Sequence, residues 1–291
     1  MSGSTERRLA PGRAPAGWSE DRGPWGARWS APGWSEGFAP LDAPEQGAAG
    51  TPLSAGGRAR VRLLQHPRGA VVVRSYQRGG LLRGLRSRGF AGPERALAEA
   101  RLGQELLEAG LQVATPVLVR ARPIGSRRWD LELGTVHAPN AQDLRQVLSE
   151  PAPDRLLLRA LARAAGELVR EAHALGLDHV DLQPANLLHA GTGPDGQPRL
   201  LLLDLDRCTR SAALPEGVRL SNLARLERWL WGRSEGTAVG PRERAAFLLA
   251  YEPDRKRRRA LARAVAARVQ RRRVWQRTGR LLERLLGLRR L

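Results

Sequence analysis

At 291 residues the chain is long enough to bury a sizeable core, in one two-lobed domain or two small ones. Its 49 Lys and Arg outweigh 29 Asp and Glu for a net charge of +20, which points to anionic partners such as phosphate, acidic headgroups or nucleic acid; Lys256 is the sole lysine, so this charge is nearly all arginine and carries meaning only where it clusters. A single cysteine, Cys208, excludes a disulfide framework and a multi-cysteine metal site, and with no run near the roughly 20 apolar residues of a membrane span and no apolar leader core, a cytosolic protein is expected, soluble or attached to a surface.

Residues 1–52 are dense in Gly, Pro, Ala and Ser without helical or strand period, and a disordered tail is expected there. Within it APAGWSE at 14–20 recurs as APGWSE at 31–36, and Trp18, Trp25, Trp29 and Trp34 are spread along it. A short motif docking on a partner is the other reading of that pattern.

Residues 53–138 change character. RVRLLQ and AVVVRSY read as strands joined through HPRG. GPERALAEARLGQELLEAG then places Leu97, Leu102 and Leu106 at near-helical spacing and stops at Gly110. Strand-like PVLVRARPI and WDLELGTV follow, so a small α+β lobe with one helix is expected. Residues 139–253 turn helical: in PDRLLLRALARAAGELVREAHALG one stripe carries Leu157, Leu161, Ala165, Leu168 and Ala172, closed by Gly176. NLLHA and RLLLLDL, separated by GPDGQ, then predict a hairpin that sets Asn186 and Asp204 at comparable levels.

The chemistry concentrates in residues 179–208. Phosphoryl transfer needs a carboxylate for the acceptor hydroxyl, oxygen ligands for magnesium, and a cation on the phosphates. His179, Asp181, Leu182 and Asn186 form H-x-D-L-x-x-x-N, with Asp204 following 18 residues after Asn186, and this resembles the protein-kinase catalytic loop and the metal-binding aspartate beyond it. The resemblance makes Asp181 the catalytic base, with His179 orienting the loop beside it, and Asn186 and Asp204 the magnesium ligands. A plain hairpin with Asn186 capping a turn is the alternative.

DLDR at 204–207 stands where protein kinases carry Phe-Gly after the aspartate. Together with VVVRSYQRGGLLRGL, RALAEARL, GLQVATPV and SNLARLERWL it resembles the bacterial 3-deoxy-D-manno-octulosonic acid (Kdo) kinases of the lipopolysaccharide kinase family, over about residues 55–232. That resemblance implies a bilobal protein-kinase-like α+β fold, with a small β-sheet lobe bearing one helix and a larger, mainly helical C-terminal lobe. It also implies ATP with Mg2+, and phosphate transfer to a hydroxyl of the Kdo sugar on a lipid A precursor at the cytoplasmic face of the bacterial inner membrane.

In this reading Arg74, after three valines, takes the place of the strand lysine that grips ATP phosphates. Glu99 is the helix carboxylate that would hold it; an ordinary solvated charge is the alternative for each. Gly56 and Gly57 offer backbone amides for a phosphate-covering loop, or a simple hairpin entry. The other four histidines lack metal-ligand spacing, and Cys208 reads as a small buried side chain. Residues 254–291 hold 15 Lys and Arg against Asp254 and Glu283, with Leu261, Val265 and Val269 recurring every fourth position. This basic amphipathic helix suits an anionic inner-membrane surface, without nucleic acid; packing on the large lobe is the rival account. Rival activities are a kinase of another acceptor (a core heptose, a small molecule or a protein) and an inactive kinase-like binding protein.

Overall fold

The computed structural model describes residues 13–38, 50–53, 61–77, 89–124, 128–231 and 239–285, the last two stretches with side chains to 230 and 271. The chain forms two units, Met1–Pro139 with Leu205–Arg207, and Asn140–Asp204 with Cys208–Leu291. Gly56 and Gly57 lie outside the described residues.

The first unit is a seven-stranded antiparallel sheet with one helix. Its strands are β1 (Ser19–Gly23), β2 (Gly26–Ser30), β3 (Thr51–Pro52), β4 (Val61–Leu64), β5 (Val71–Ser75), β6 (Pro116–Pro123) and β7 (Trp129–Val136), in spatial order β1-β2-β6-β7-β5-β4-β3. Helix α1 (Glu94–Glu108) ends at Gly110, whose φ of 88° is the left-handed stop that glycine adopts readily, with Leu111 N bonding back to Leu106 O. Alternation along the strands sorts two cores. Leu131 and Leu133 of β7 and Val119 and Ala121 of β6 meet Leu97 and Ala100 of α1, whereas Val71 and Val73 face away from the helix, onto Leu64, Phe38 and Leu118.

Residues 13–38 correct the expectation of a disordered tail. Pro24 and Trp25 turn a tight hairpin, in register from Ser19↔Ser30 to Gly23↔Gly26, and β2 pairs with the edge of β6. Trp29 is 1% exposed in the helix-side core. The repeated G-W-S-E proves to be one turn used twice: Gly17 and Gly33 have φ of 75° and 76°, a left-handed conformation that suits glycine. Each turn delivers a tryptophan to the sheet. Trp18 donates from Nε1 to Gln104 of α1 at 3.0 Å, and Trp34 packs on the His66 ring at 4.6 Å. Burial of this apolar surface, rather than intrinsic strand propensity, explains why so Gly- and Pro-rich a segment is ordered.

The second unit is built on α3 (Arg155–Ala174), capped by the Asp154 side chain, which accepts from Leu156 N at 2.8 Å. Its buried stripe is Leu158, Leu161, Ala165, Leu168, Val169 and Ala172, so Leu158 rather than Leu157 leads it. The short α2 (Leu144–Val147) follows β8 (Gln142–Asp143). The hairpin β10 (Leu187–Thr192) and β11 (Pro198–Leu202) pairs Leu187 with Leu202, and β8 lies on the other side of β10. Two further residues on each side close the 179–208 stretch: β9 (Leu177–Asp178) pairs with β12 (Thr209–Arg210). Gly176, at φ 79°, is required there, because a Cβ would collide with the Ser211 carbonyl oxygen.

Helices α4 (Glu216–Trp231), α5 (Pro241–Tyr251) and α6 (Arg255–Leu285) complete the unit, with α3 packed on α5 and α4 on α6. Val265 and Val269 of α6 are buried, and Arg268 Nη2 bonds Ser221 Oγ of α4 at 2.7 Å. Two members of the apolar stripe of the basic segment are thus covered by their own unit, and Leu261 is half-buried. The segment's arginines Arg255, Arg257, Arg259, Arg263 and Arg271 are exposed.

His173 ties α3, α4 and α5 together. Its Nδ1 lies 2.7 Å from the Tyr251 hydroxyl and its Nε2 3.4 Å from Asn222 Nδ2. Burial, helped by the Arg219 charge, pushes its pKa down to about 4 from 6.5. The unfolded chain therefore takes up a proton below pH 6.5 that the folded protein refuses until about pH 4. Stability from this group is complete above 6.5 and is lost as pH falls toward 4, a drop of about 3 kcal/mol. Urea unfolding midpoints measured from pH 7.5 to 4.5 should show that decline, and His173→Gln should flatten it.

Candidate active site

The second unit builds the candidate catalytic loop from its backbone outward. Leu182, 1% exposed, pins the loop between Asp181 and the 3-10 turn Pro184–Asn186. Asp181 stays half-exposed, and Gln183 Nε2 donates to its Oδ2 at 2.7 Å. Asn186 is held three ways. Its amide N bonds Gln183 O at 2.9 Å, its carbonyl accepts from Leu203 N at 2.9 Å, and its side-chain Nδ2 donates to the Asp181 carbonyl at 2.8 Å. The last contact turns Oδ1 of Asn186 away from the loop backbone, as an oxygen ligand requires.

His179 is 2% exposed, and its Nε2 donates to the Leu203 carbonyl at 2.9 Å. Burial lowers its pKa, so the ring is neutral and acts as a strut between the loop and the end of β11. Leu203 is therefore fixed from both sides, by His179 and by Asn186, and Asp204 follows it directly. Asp204 has φ 57°, a left-handed conformation that Asp tolerates better than most residues. Asp181, Asn186, His179 and the Leu203–Asp204 segment just after β11 thus come together through one set of hydrogen bonds, with Asn186 in the turn preceding β10 rather than on a strand. Cys208 Sγ lies 3.8 Å from the Asp204 carbonyl, a weak thiol contact with the turn.

The first unit carries the arginine set. Strand alternation puts Arg74 and Tyr76 on the α1 face, opposite Val71 and Val73. Arg74 Nη2 lies 2.7 and 2.9 Å from the two Glu99 oxygens, and its guanidinium carbon sits 4.8 Å from the centre of the Tyr76 ring. Glu99 is nearly fully buried, at 4% side-chain exposure, so the ion pair fixes the guanidinium in direction. Tyr76 also donates its hydroxyl to Glu99, and burial holds its pKa well above 10. Beyond Tyr76, Arg95 Nε donates to Asp206 Oδ1 at 2.7 Å and its Nη2 to Oδ2.

Sequence reasoning missed Tyr76, Arg95, Asp206 and Gln183. DLDR flagged Asp206 as a departure from the kinase pattern, but nothing in the sequence says that its partner is a residue 111 positions earlier.

The donor set suits magnesium. Among the described residues no group of three or more His, Cys, Asp or Glu side chains is arranged to hold a metal ion. An ion here would take Asn186 and Asp204 as protein ligands and complete its octahedron with water and phosphate, as Mg2+ commonly does and soft metals do not.

The fold and these side chains define a protein-kinase-like phosphotransferase. The sequence pattern of the lipopolysaccharide kinase (Kdo/WaaP) family matches residues 50–251, and the chain belongs to that family. It is similar to the 3-deoxy-D-manno-octulosonic acid kinase of Vibrio vulnificus (strain CMCP6), with 30% identity over 179 residues, 60% of this chain and 71% of that one. It is also similar to the 3-deoxy-D-manno-octulosonic acid kinase of Haemophilus influenzae (strain ATCC 51907 / DSM 11121 / KW20 / Rd), at 35% identity over 164 residues, 54% of this chain and 64% of the relative. A solved structure of WaaP in complex with acyl carrier protein shares the fold, with a TM-score of 0.54 and 20% identity across 78% of this chain and 88% of that one. The β1-β2 hairpin lies outside the family match.

Proposed function

We propose that this protein is an ATP-dependent kinase that phosphorylates a hydroxyl of the Kdo sugar on a lipid A precursor. The reading rests on one observation above the others: Asp181 and Asn186 share a loop whose amide and backbone bonds fix Asp204 beside them. Asp181, with Oδ2 occupied by Gln183, offers Oδ1 to orient the sugar hydroxyl and take its proton. Asn186 and Asp204 would hold Mg2+, which when bound neutralises phosphate charge. Arg74 grips the non-transferred phosphates, and Glu99 holds its direction; a planar guanidinium suits phosphate oxygens better than a point charge does. His179 keeps the loop and the end of β11 in register and takes no proton, being buried and neutral.

The acceptor comes from the family relatives, several of which are named as Kdo kinases. No helix among the described residues is long and apolar enough to cross a membrane, and an acceptor anchored in lipid suits an enzyme held peripherally at the inner membrane's cytoplasmic face. The exposed arginines of α6 support that placement through attraction to anionic headgroups.

The test is incubation with labelled ATP and Kdo-bearing lipid A, followed by mass measurement of the lipid. Gain of one phosphate on the Kdo residue is expected. Phosphate appearing only on a core heptose or a protein would move the acceptor, and absence of magnesium-dependent ATP turnover would leave a binding protein.

A further inference from the structure

Resting on that reading, we propose that the Arg95–Asp206 ion pair is a clamp that positions Asp204 for metal binding by fastening the segment after it to α1. Asp206 is thereby a positioning residue, and so is Arg95.

The segment Leu205–Arg207 groups with the first unit. It is bracketed by two left-handed residues, Asp204 at φ 57° and Arg207 at φ 61°. Arginine in that conformation is disfavoured, so the backbone there is strained. A backbone in this shape persists only where its surroundings hold it. Two contacts to α1 do so: Leu205 is 6% exposed and lies 3.7 Å from where a Cβ at Gly103 would stand, and Asp206 receives both Nε and Nη2 of Arg95.

Arg95 is itself held. Its guanidinium carbon lies 5.1 Å from the Phe90 ring centre and 5.6 Å from that of Tyr76, within cation–π range. Tyr76 in turn donates to Glu99, which holds Arg74. One unbroken series of contacts therefore runs from the phosphate-gripping arginine to the residue two positions beyond the metal-binding aspartate. A glycine at 206 could make no such bond. A two-toothed ion pair, with side-chain exposures of 25% and 16%, also fixes direction in a way that a single contact does not. The arrangement ties α1 to the 205–207 segment while the pair is intact.

The experiment compares the full chain with Asp206→Asn, Arg95→Lys and, as a reference, Asp204→Ala. Three quantities are read: ATP affinity by calorimetry with and without Mg2+, hydrogen exchange of the peptide spanning 203–208, and kcat against KM for ATP. In Asp206→Asn the gain in ATP affinity from Mg2+ is expected to shrink about tenfold, as for loss of a partner that orients a metal ligand. Exchange at 204–207 should quicken, and kcat should fall more than KM rises. Arg95→Lys, which keeps the charge but loses the fork, should fall between that variant and the parent.

Parent-like Mg2+ dependence and exchange in Asp206→Asn would overturn the clamp. A parent protein with no Mg2+-dependent ATP binding would instead overturn the kinase reading, and exchange would still decide whether the pair holds the segment. Melting temperatures of all variants separate either result from general unfolding, with Arg95→Lys serving where Asp206→Asn does not fold.

Discussion

Asp181→Asn is expected to slow phosphate transfer about 100- to 10,000-fold, the range a positioned general base supplies, with ATP binding and folding retained. The substitution keeps shape and volume and removes only the proton acceptor. Its neighbours do not depend on the charge: Asn186 Nδ2 bonds the main-chain carbonyl of residue 181, and Leu182 is anchored by burial. An amide oxygen at 181 still accepts from Gln183. The loss should therefore appear in kcat, read in single-turnover transfer to Kdo-bearing lipid A, while ATP affinity by calorimetry stays near that of the parent. Asp204→Ala should do the opposite, removing the metal-dependent part of ATP binding. Transfer by Asp181→Asn at the parent rate would remove Asp181 from the chemistry.

Trp29→Ala should destabilise the first unit by about 3–5 kcal/mol, the usual result of truncating a fully buried large aromatic. The ring lies in the core shared with Leu97 and Ala100 of α1, so its loss leaves a cavity between sheet and helix. Starting the chain at residue 50, where the family match begins, would do more. It strips β2 from β6, exposes a long unpaired edge, and uncovers Val119 and Ala121, a combination that invites aggregation. Urea unfolding followed by circular dichroism measures the first variant, and the soluble yield of the shortened chain measures the second. A shortened chain as soluble and as stable as the full one would show that the hairpin is an ornament on the sheet.

Much of the site was legible because it is local. H-x-D-L-x-x-x-N and the aspartate beyond it lie within 26 residues, bracketed by a long amphipathic helix and a hairpin whose turn residues announce it. The Arg74–Glu99 pair, a contact in the structure, was anticipated through the resemblance to the kinase strand and the helix after it. The N-terminal hairpin was not, because SEDRGPWGARWS mixes charge, Gly and Trp without a clean alternation, and its order comes from tertiary burial. The alternation of Ala27, Trp29 and Ala31 was the one available sign. Glu132 shows the same limit in another form: on a strand its carboxylate reads as solvent-facing, yet it is 3% exposed, bound by Arg62 at 2.9 Å and near Arg120 at 3.5 Å. A pattern tells which residues share a face, not what will cover it.

Helix α6 illustrates this most fully. Since Val265 and Val269 are already spent inside their own unit, the part of the helix up to residue 271 keeps little greasy surface to sink among acyl chains. Any hold that stretch exerted on a charged bilayer would rest chiefly on ion attraction, which fades over about 8 Å at physiological salt. A contact made by that stretch with an anionic bilayer would accordingly be loose and quickly reversed, a touch rather than a mooring.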